Sequence, residues 1–558
     1  MDLAAAIAED DRVIVDARQL TDGSQVVSQL CIVGAGPAGM TIARELAGTP
    51  WRVCLVESGG VDVDAGAQTL TGVARDGNFF PPANAFHRQL GGVANVWDVR
   101  VTEAGGGCRL VPLDAIDFEP RDWVPSSGWP LSRGDLEPYY TRALRVCGVD
   151  DGSYRLDAWV SASPPALPFD PARITTSIEH FGQADVFTRD TSAALERAAN
   201  VDVLVHATVT ALEEDGVGPA VTRVRLVTAS GREHTIAATL FVIAAGGIEN
   251  PRLLLLSNAS RPSGLGNHHD LVGRFFMDHH NVRAGFLVPT SRRLFETAEL
   301  YDLRFVRGQP IMGKLRVAER LMREARLLNA ALRLEPGRAL NPIRAVSSLR
   351  RVRREGLDGP GDVVSIARDV VADGPRLAVA ALRKLAPRSR RGLYGWSELS
   401  AKRWRFDGFN VEIQVEHAPD PANRVVLGEE RDPLGLPRAA IHWRWGAVDL
   451  DSLGRIQGIL AEECGRAGVG RLELPPSDVG PTVTAPGGIH HHMGTTRMHV
   501  DERHGVVDAD CRVHGVPNLF VAGSSVFPTG GYANPTLTIV ALAIRLADHL
   551  KALMARSA

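Results

Sequence analysis

Paired cysteines are what this sequence most plainly lacks. Its six cysteines, Cys31, Cys54, Cys108, Cys147, Cys464 and Cys511, include no CxxC pair. The spacings used for structural zinc, iron–sulfur clusters and CxxCH haem attachment are therefore unsupported. Cys31 and Cys54 lie in apolar, strand-like runs and read as small buried hydrophobes. A reducing compartment is the simplest expectation. Long apolar runs are missing too: no stretch of about 18 uninterrupted apolar residues occurs, so no membrane-spanning helix is expected. The opening Met1-Asp2-Leu3 to Glu9-Asp10-Asp11 is acidic where a secretory leader would be basic, and a cytoplasmic location is expected. An excess of either charge is also absent. Lys plus Arg number 62 against 65 Asp plus Glu, a net charge of -3, so there is no global electrostatic case for nucleic-acid binding.

What is present is an ordinary globular composition over 558 residues, 44% hydrophobic and 23% charged, which excludes a disordered or fibrous chain. Glycine is plentiful at 56 residues, and the positions carry information. Gln29 to Val33 is a short apolar run of buried-strand type. It leads into Gly34-Ala35-Gly36-Pro37-Ala38-Gly39, then Met40 to Ala47 at helical spacing, then a second strand, Val53 to Val56, ending on Glu57. Gly34 permits a tight turn, and Gly36 lets backbone approach a pyrophosphate at the helix N-terminus beside Ala38. Gly39 allows close helix–sheet packing, and Glu57 can accept from ribose hydroxyls. A glutamate with no nearby arginine favours a ribose without a 2′-phosphate. The motif alone leaves FAD and NAD both open.

Further along, Leu90 to Trp97 would bring Gly91, Gly92, Asn95, Val96 and Trp97 against a flavin. Asp202 to Val209 reads as one strand. Val221 to Val227 and Glu233 to Ile236 read as a hairpin around Ser230-Gly231. Leu240 to Gly247 reads as a buried strand ending in glycines, with Ala245 and Gly246 at its tip. A β-meander before the last parallel strand is the expectation for a two-dinucleotide flavoprotein fold, and Val209 joins the expected cofactor contacts. The last 80 residues hold Ile489-His490-His491-His492-Met493-Gly494-Thr495-Thr496-Arg497-Met498, then Val521-Ala522-Gly523-Ser524, then Asn534-Pro535-Thr536-Leu537-Thr538 and a long helix.

Through these residues the chain resembles the glucose–methanol–choline (GMC) oxidoreductases, an FAD-dependent alcohol-oxidising family. The likeness rests on GxGxxG and GGxxxxW, on Ala245-Gly246 before Glu249-Asn250-Pro251-Arg252, and on HxxGTxRM and NPTLT. Gly128-Trp129-Pro130-Leu131 and Leu136-Glu137-Pro138-Tyr139-Tyr140 are similar to its sugar-oxidising branch near pyranose oxidase. The stretch from about 290 to 400 matches no familiar pattern. The resemblance implies FAD, with His491 as catalytic base and Asn534 as its partner. It also implies flavin contacts at Gly523, Ser524, Pro535 and Thr536. Some relatives hold FAD covalently through a histidine where this chain has Val96, so a non-covalent flavin is expected.

Elementary chemistry agrees with these assignments. An alcohol is a poor hydride donor until its hydroxyl proton leaves, and histidine, with an ordinary pKa of about 6.5, suits that task. Asn534 before Pro535 has a second reading as a helix N-cap. The three consecutive histidines point alternately and have no acid or cysteine cluster beside them, so no metal site is expected. His268, His269, His279 and His280 have no partner visible in the sequence, and packing is the default for them.

The fold expected is α/β (α+β overall): a Rossmann-like FAD-binding domain (21–97, 196–285, 483–558) interleaved with a substrate domain (98–195, 286–482) on a mostly antiparallel sheet. Strands are expected near Asn410 to Val415 and Arg424 to Leu427. Lys314 to Arg391 is the one local charge anomaly, with nineteen Lys and Arg against eight Asp and Glu. It reads as a basic helical insertion, helical over Leu315 to Leu334 and Asp362 to Leu385. A solvated face, docking to an anionic surface or partner, and a lid all remain open for it. The expected activity is oxidation of a CH–OH group of an alcohol, sugar, glycoside or polyol by hydride transfer to flavin N5, with oxygen, a quinone or a redox protein as acceptor. A redox-neutral FAD lyase and a non-catalytic flavin-binding protein are the competing readings.

Overall fold

The computed structural model describes residues 14–557 apart from 75–85, 98, 102–105, 151, 160–164, most of 339–394, 400–401, 476–480, 482 and 484–489. Two large sheets organise it. The first has eight strands. Five of them, Ile14–Asp16, Val201–Val205, Val53–Val56, Gln25–Val33 and Glu233–Ile243, run parallel in that spatial order. Leu519–Val521 pairs parallel with the far end of Glu233–Ile243, whose near end pairs with the antiparallel hairpin of Val221–Val227 and Thr208–Glu214. Parallel strands covered on both faces read as near-continuous apolar runs; Val53–Val56 and Val201–Val205 are buried at every position, with Asp202 the one charged residue, paired to Arg52 at 3.0 Å.

Two strands differ in extent from the sequence reading. Asp202 to Val209 is broken at His206, which takes φ 55 and separates a parallel strand from the meander. Glu233 to Ile243 is continuous, because its two halves have different partners on the same edge.

The second sheet has nine strands and is antiparallel. Its main path runs Gly470–Glu473, His280–Pro289, Gly408–Val415, Ala330–Gly337, Gln309–Val317, Ile174–Gln183, Gly106–Leu110 and Val99–Arg100. Alternation gives each strand two unlike faces. Ile178, Leu315, Leu332, Val411 and Ile413 form an apolar core with Leu453, Ile456 and Leu460 of the helix Ala447–Arg466. The opposite face is polar and turns toward the first sheet. This sheet overturns the helix expected over Leu315 to Leu334. That stretch is two strands joined through a short helix, Glu319–Ala325, because Lys314-Leu315-Arg316-Val317 alternates with period two. The Asp362 to Leu385 helix lies largely outside the described residues. Arg424–Arg431 is a strand as expected, but it belongs to a separate three-stranded sheet.

Candidate active site

The parallel strands of the first sheet end at Val33, Val56, Ile243 and Val521, and the loops after them open onto one cavity of about 840 Å³. Its other wall is the polar face of the second sheet. Clefts of this size at the carboxyl ends of parallel strands are where α/β folds take their ligands.

The dinucleotide loop shows why glycine is required. Gly34 takes φ 103, and a Cβ there would lie 2.7 Å from the Ala244 carbonyl oxygen. A Cβ on Gly39 would sit 2.0 Å from Gly34 O, so helix and loop could not pack. Gly36 caps the helix Pro37–Leu46 without a side-chain bond, and a Cβ there would meet nothing within 4 Å. It faces open cavity, and the first helical N–H groups are left to meet a phosphate. The buried Glu57 carboxylate accepts from Ala35 N–H at 3.0 Å and Gly59 N–H at 2.8 Å, which fixes it at the wall. These residues fit an FAD.

Gly34, Gly36, Ala38, Glu57, Gly92, Val96, Trp97 and Val209 line this cavity together with Ala245, Gly246, Gly523, Ser524, Pro535 and Thr536. His491 and Asn534 share it. Gly39, Gly91 and Asn95 stand outside the wall. Gly91 donates its N–H to Ala35 O, and Asn95 Nδ2 donates to Leu90 O and Gly92 O, tying the turn that presses Gly92 against Gly36.

His491 is placed by a pairing that local sequence does not announce. Met277 and Met493 exchange backbone hydrogen bonds as an antiparallel bridge, which puts residue 279 opposite residue 491. His279 Nε2 lies 2.7 Å from the Gly531 carbonyl and so must donate to it. A neutral His279 then has a lone pair on Nδ1, and His491 Nδ1, 2.8 Å away, donates to it. His491 Nε2 is left with its lone pair, 3.1 Å from the amide Nδ2 of Asn534, which donates. The imidazole is thus set in the proton-accepting tautomer.

Electrostatics agree. Burial holds His279 down at about 4. Burial, followed by the nearby His279, His490, His492 and Arg109, pushes His491 well below the ordinary histidine value. Its backbone N–H is fixed by the Asp278 carboxylate at 2.9 Å. His492 diverges from its neighbour and packs between Phe86 and Phe276. The helix Thr536–Ser557 begins with the Pro535 carbonyl accepting from Ile539 N–H, so the cap position falls on Pro535, one residue after Asn534. The Asn534 amide faces His491 instead.

Sequence alone offers only packing for His279, since its partner is 212 positions away. Arg109, Arg333 and Glu412, also at the wall, gave no sequence signal beyond charge within strands. Among the described residues, the one converging group with metal-ligand chemistry is His268, His269 and Glu502, all exposed. His268 Nε2 and Glu502 form a surface pair at 3.2 Å. No helix among the described residues is long and apolar enough to cross a membrane.

Residues 29–263 match the family described as FAD dependent oxidoreductase, which makes the chain a flavin enzyme. Residues 419–543 match the family described as GMC oxidoreductase. It is 25% identical over 589 residues to 6'''-hydroxyparomomycin C oxidase of Streptomyces lividus, covering 94% of this chain and 92% of that one. It is 27% identical over 352 residues to the fructose dehydrogenase large subunit of Gluconobacter japonicus, covering 62% of this chain and 53% of the relative. Its fold is similar to that of pyridoxine 4-oxidase from Mesorbium loti, with a TM-score of 0.52, 17% identity and coverage of 94% of this chain and 99% of that chain.

Proposed function

We propose that this protein oxidises a CH–OH group of a sugar, glycoside or related polyol to the carbonyl. The observation that carries the reading is His491 Nε2, set as a lone pair at the cavity wall by His279 on one side and met by Asn534 on the other. His491 takes the hydroxyl proton, and Asn534 donates to the same oxygen. Bound FAD supplies the hydride acceptor. The sugar class is supported by two relatives, a 6'''-hydroxyparomomycin C oxidase and a fructose dehydrogenase large subunit.

The flavin is held without a covalent link in this reading. Val96 offers no nucleophile, and burial keeps the cavity thiol, Cys108, well above its ordinary value and so protonated. The acceptor is oxygen, a quinone or a redox protein. Six free, buried cysteines support a reducing compartment such as the cytoplasm.

The test is anaerobic mixing of the yellow protein with a panel of sugars, glycosides and simple alcohols. Bleaching identifies the donor, and recovery of colour with oxygen or a quinone identifies the acceptor. If no alcohol bleaches the flavin, the reading fails. Acid precipitation should release all the colour into the supernatant, and flavin retained on the pellet would overturn the non-covalent claim.

A further inference from the structure

The polar face of the second sheet carries more charge than a packing surface needs. Cross-strand neighbours share a face in an antiparallel sheet. Arg109 is registered with Phe181, Glu179 with Met312, and Arg333 with Glu412, and five of these six line the cavity. Glu179 lies just beneath the wall, buried, with Lys314 buried beside it.

The charges come in matched sets. Arg109 Nε is 3.4 Å from Glu179, and Lys314 Nζ is 4.0 Å from the same carboxylate. Arg333 bonds Glu412 at 2.6 Å and Glu335 at 2.7 Å. Two guanidiniums and the ammonium of Lys314, which burial pulls down to about 7, thus stand against three carboxylates. Desolvating ion pairs is costly, and apolar residues of similar volume would close the same interface more stably. The opposite face of these strands is built that way.

A wall of this kind suits one ligand chemistry. A hydroxyl both donates and accepts, so alternating carboxylates and guanidiniums can satisfy several hydroxyls on one ring. A net anionic or cationic ligand would find no compensating excess of charge. We propose that this face, through Arg109, Arg333 and Glu412, is the recognition surface for an uncharged, polyhydroxylated ring, and that these three residues determine specificity. The inference rests on the alcohol-oxidation reading above and goes beyond it by naming the residues and the charge class.

The experiment compares four donors in anaerobic flavin reduction by the FAD-bound protein: methyl glucopyranoside, its uronate, its 2-amino-2-deoxy counterpart, and benzyl alcohol. The neutral glycoside should half-saturate at the lowest concentration of the three sugars. In Arg109→Met and in Glu412→Gln, checked for retained FAD, its half-saturating concentration should rise roughly 10- to 100-fold, the loss of one charge-assisted hydrogen bond. The limiting rate should change less, and the efficiency ratio of glycoside to benzyl alcohol should fall by the same factor. Arg109→Lys should recover part of the loss. Preference for the uronate or the amino sugar, or an unmoved ratio in both variants, overturns the proposal. Bleaching by benzyl alcohol but by no sugar sinks this inference and leaves alcohol oxidation standing. If nothing bleaches the flavin, both fall.

Discussion

At the scale of single residues, the acid–base state of His491 follows from what its two ring nitrogens touch. Replacing it with alanine should leave a yellow, folded protein and slow flavin reduction by roughly 10² to 10⁴, the usual contribution of a positioned base. Stopped-flow absorbance would check this, and a wild-type rate in His491→Ala would remove it from the mechanism. His279→Ala should give an intermediate loss, because the base stays but its tautomer is no longer held. Asn534→Ala should slow reduction without the roughly 1 kcal/mol stability loss of a missing helix cap, since that position belongs to Pro535. The depressed His491 value also fixes a pH sign. A base must be unprotonated, so the rate should stay level through neutral pH and begin to fall only well below an ordinary histidine pKa of about 6.5. A falling limb centred at 7 would contradict the network.

At the scale of elements, two glycines of one loop separate binding from folding. Gly36 has open space where a side chain would project, and Gly39 has a carbonyl oxygen 2.0 Å away. Gly36→Val should therefore keep the melting behaviour of the apoprotein and weaken FAD retention, read by flavin released on gel filtration. Gly39→Val must push helix and loop apart, and should cost about 1–3 kcal/mol in denaturant unfolding, as overpacking does. Equal destabilisation by both would mean that Gly36 is a packing glycine and that its open side is not the cofactor's.

At the scale of the whole molecule, buried neutral histidines couple folding to pH. Burial holds His279 at about 4, and His280 and His492 at about 3. Their folded values lie below the unfolded value of about 6.5, so the unfolded chain binds more protons between these limits. Stability is therefore fully present above pH 6.5 and is lost as pH falls toward 4. Urea midpoints measured from pH 7.5 to 4.5 should be flat at first and then decline steeply, and His280→Phe should soften that decline. A stability that rises on acidification would refute it.

The sequence by itself determined whatever depends on neighbours along the chain. The glycine loop, the acid at the end of the next strand and the meander were legible, because turn geometry and strand burial are encoded within a few residues; the histidine–asparagine pair, 43 positions apart, came only through the family resemblance. Local signals erred where partners decided the outcome. Leu315 to Leu334 has helical spacing as well as alternation, and only cross-strand pairing with Ile174–Gln183 and Gly408–Val415 selects the sheet. Asn534 before proline reads as a cap until His491 is seen beside its amide. His279 and the charged wall of Arg109, Arg333 and Glu412 were decided by tertiary structure alone. Their roles come from strands meeting across about 70 to over 200 residues, and a hydrogen bond or an ion pair depends on distance in space, which no local pattern specifies.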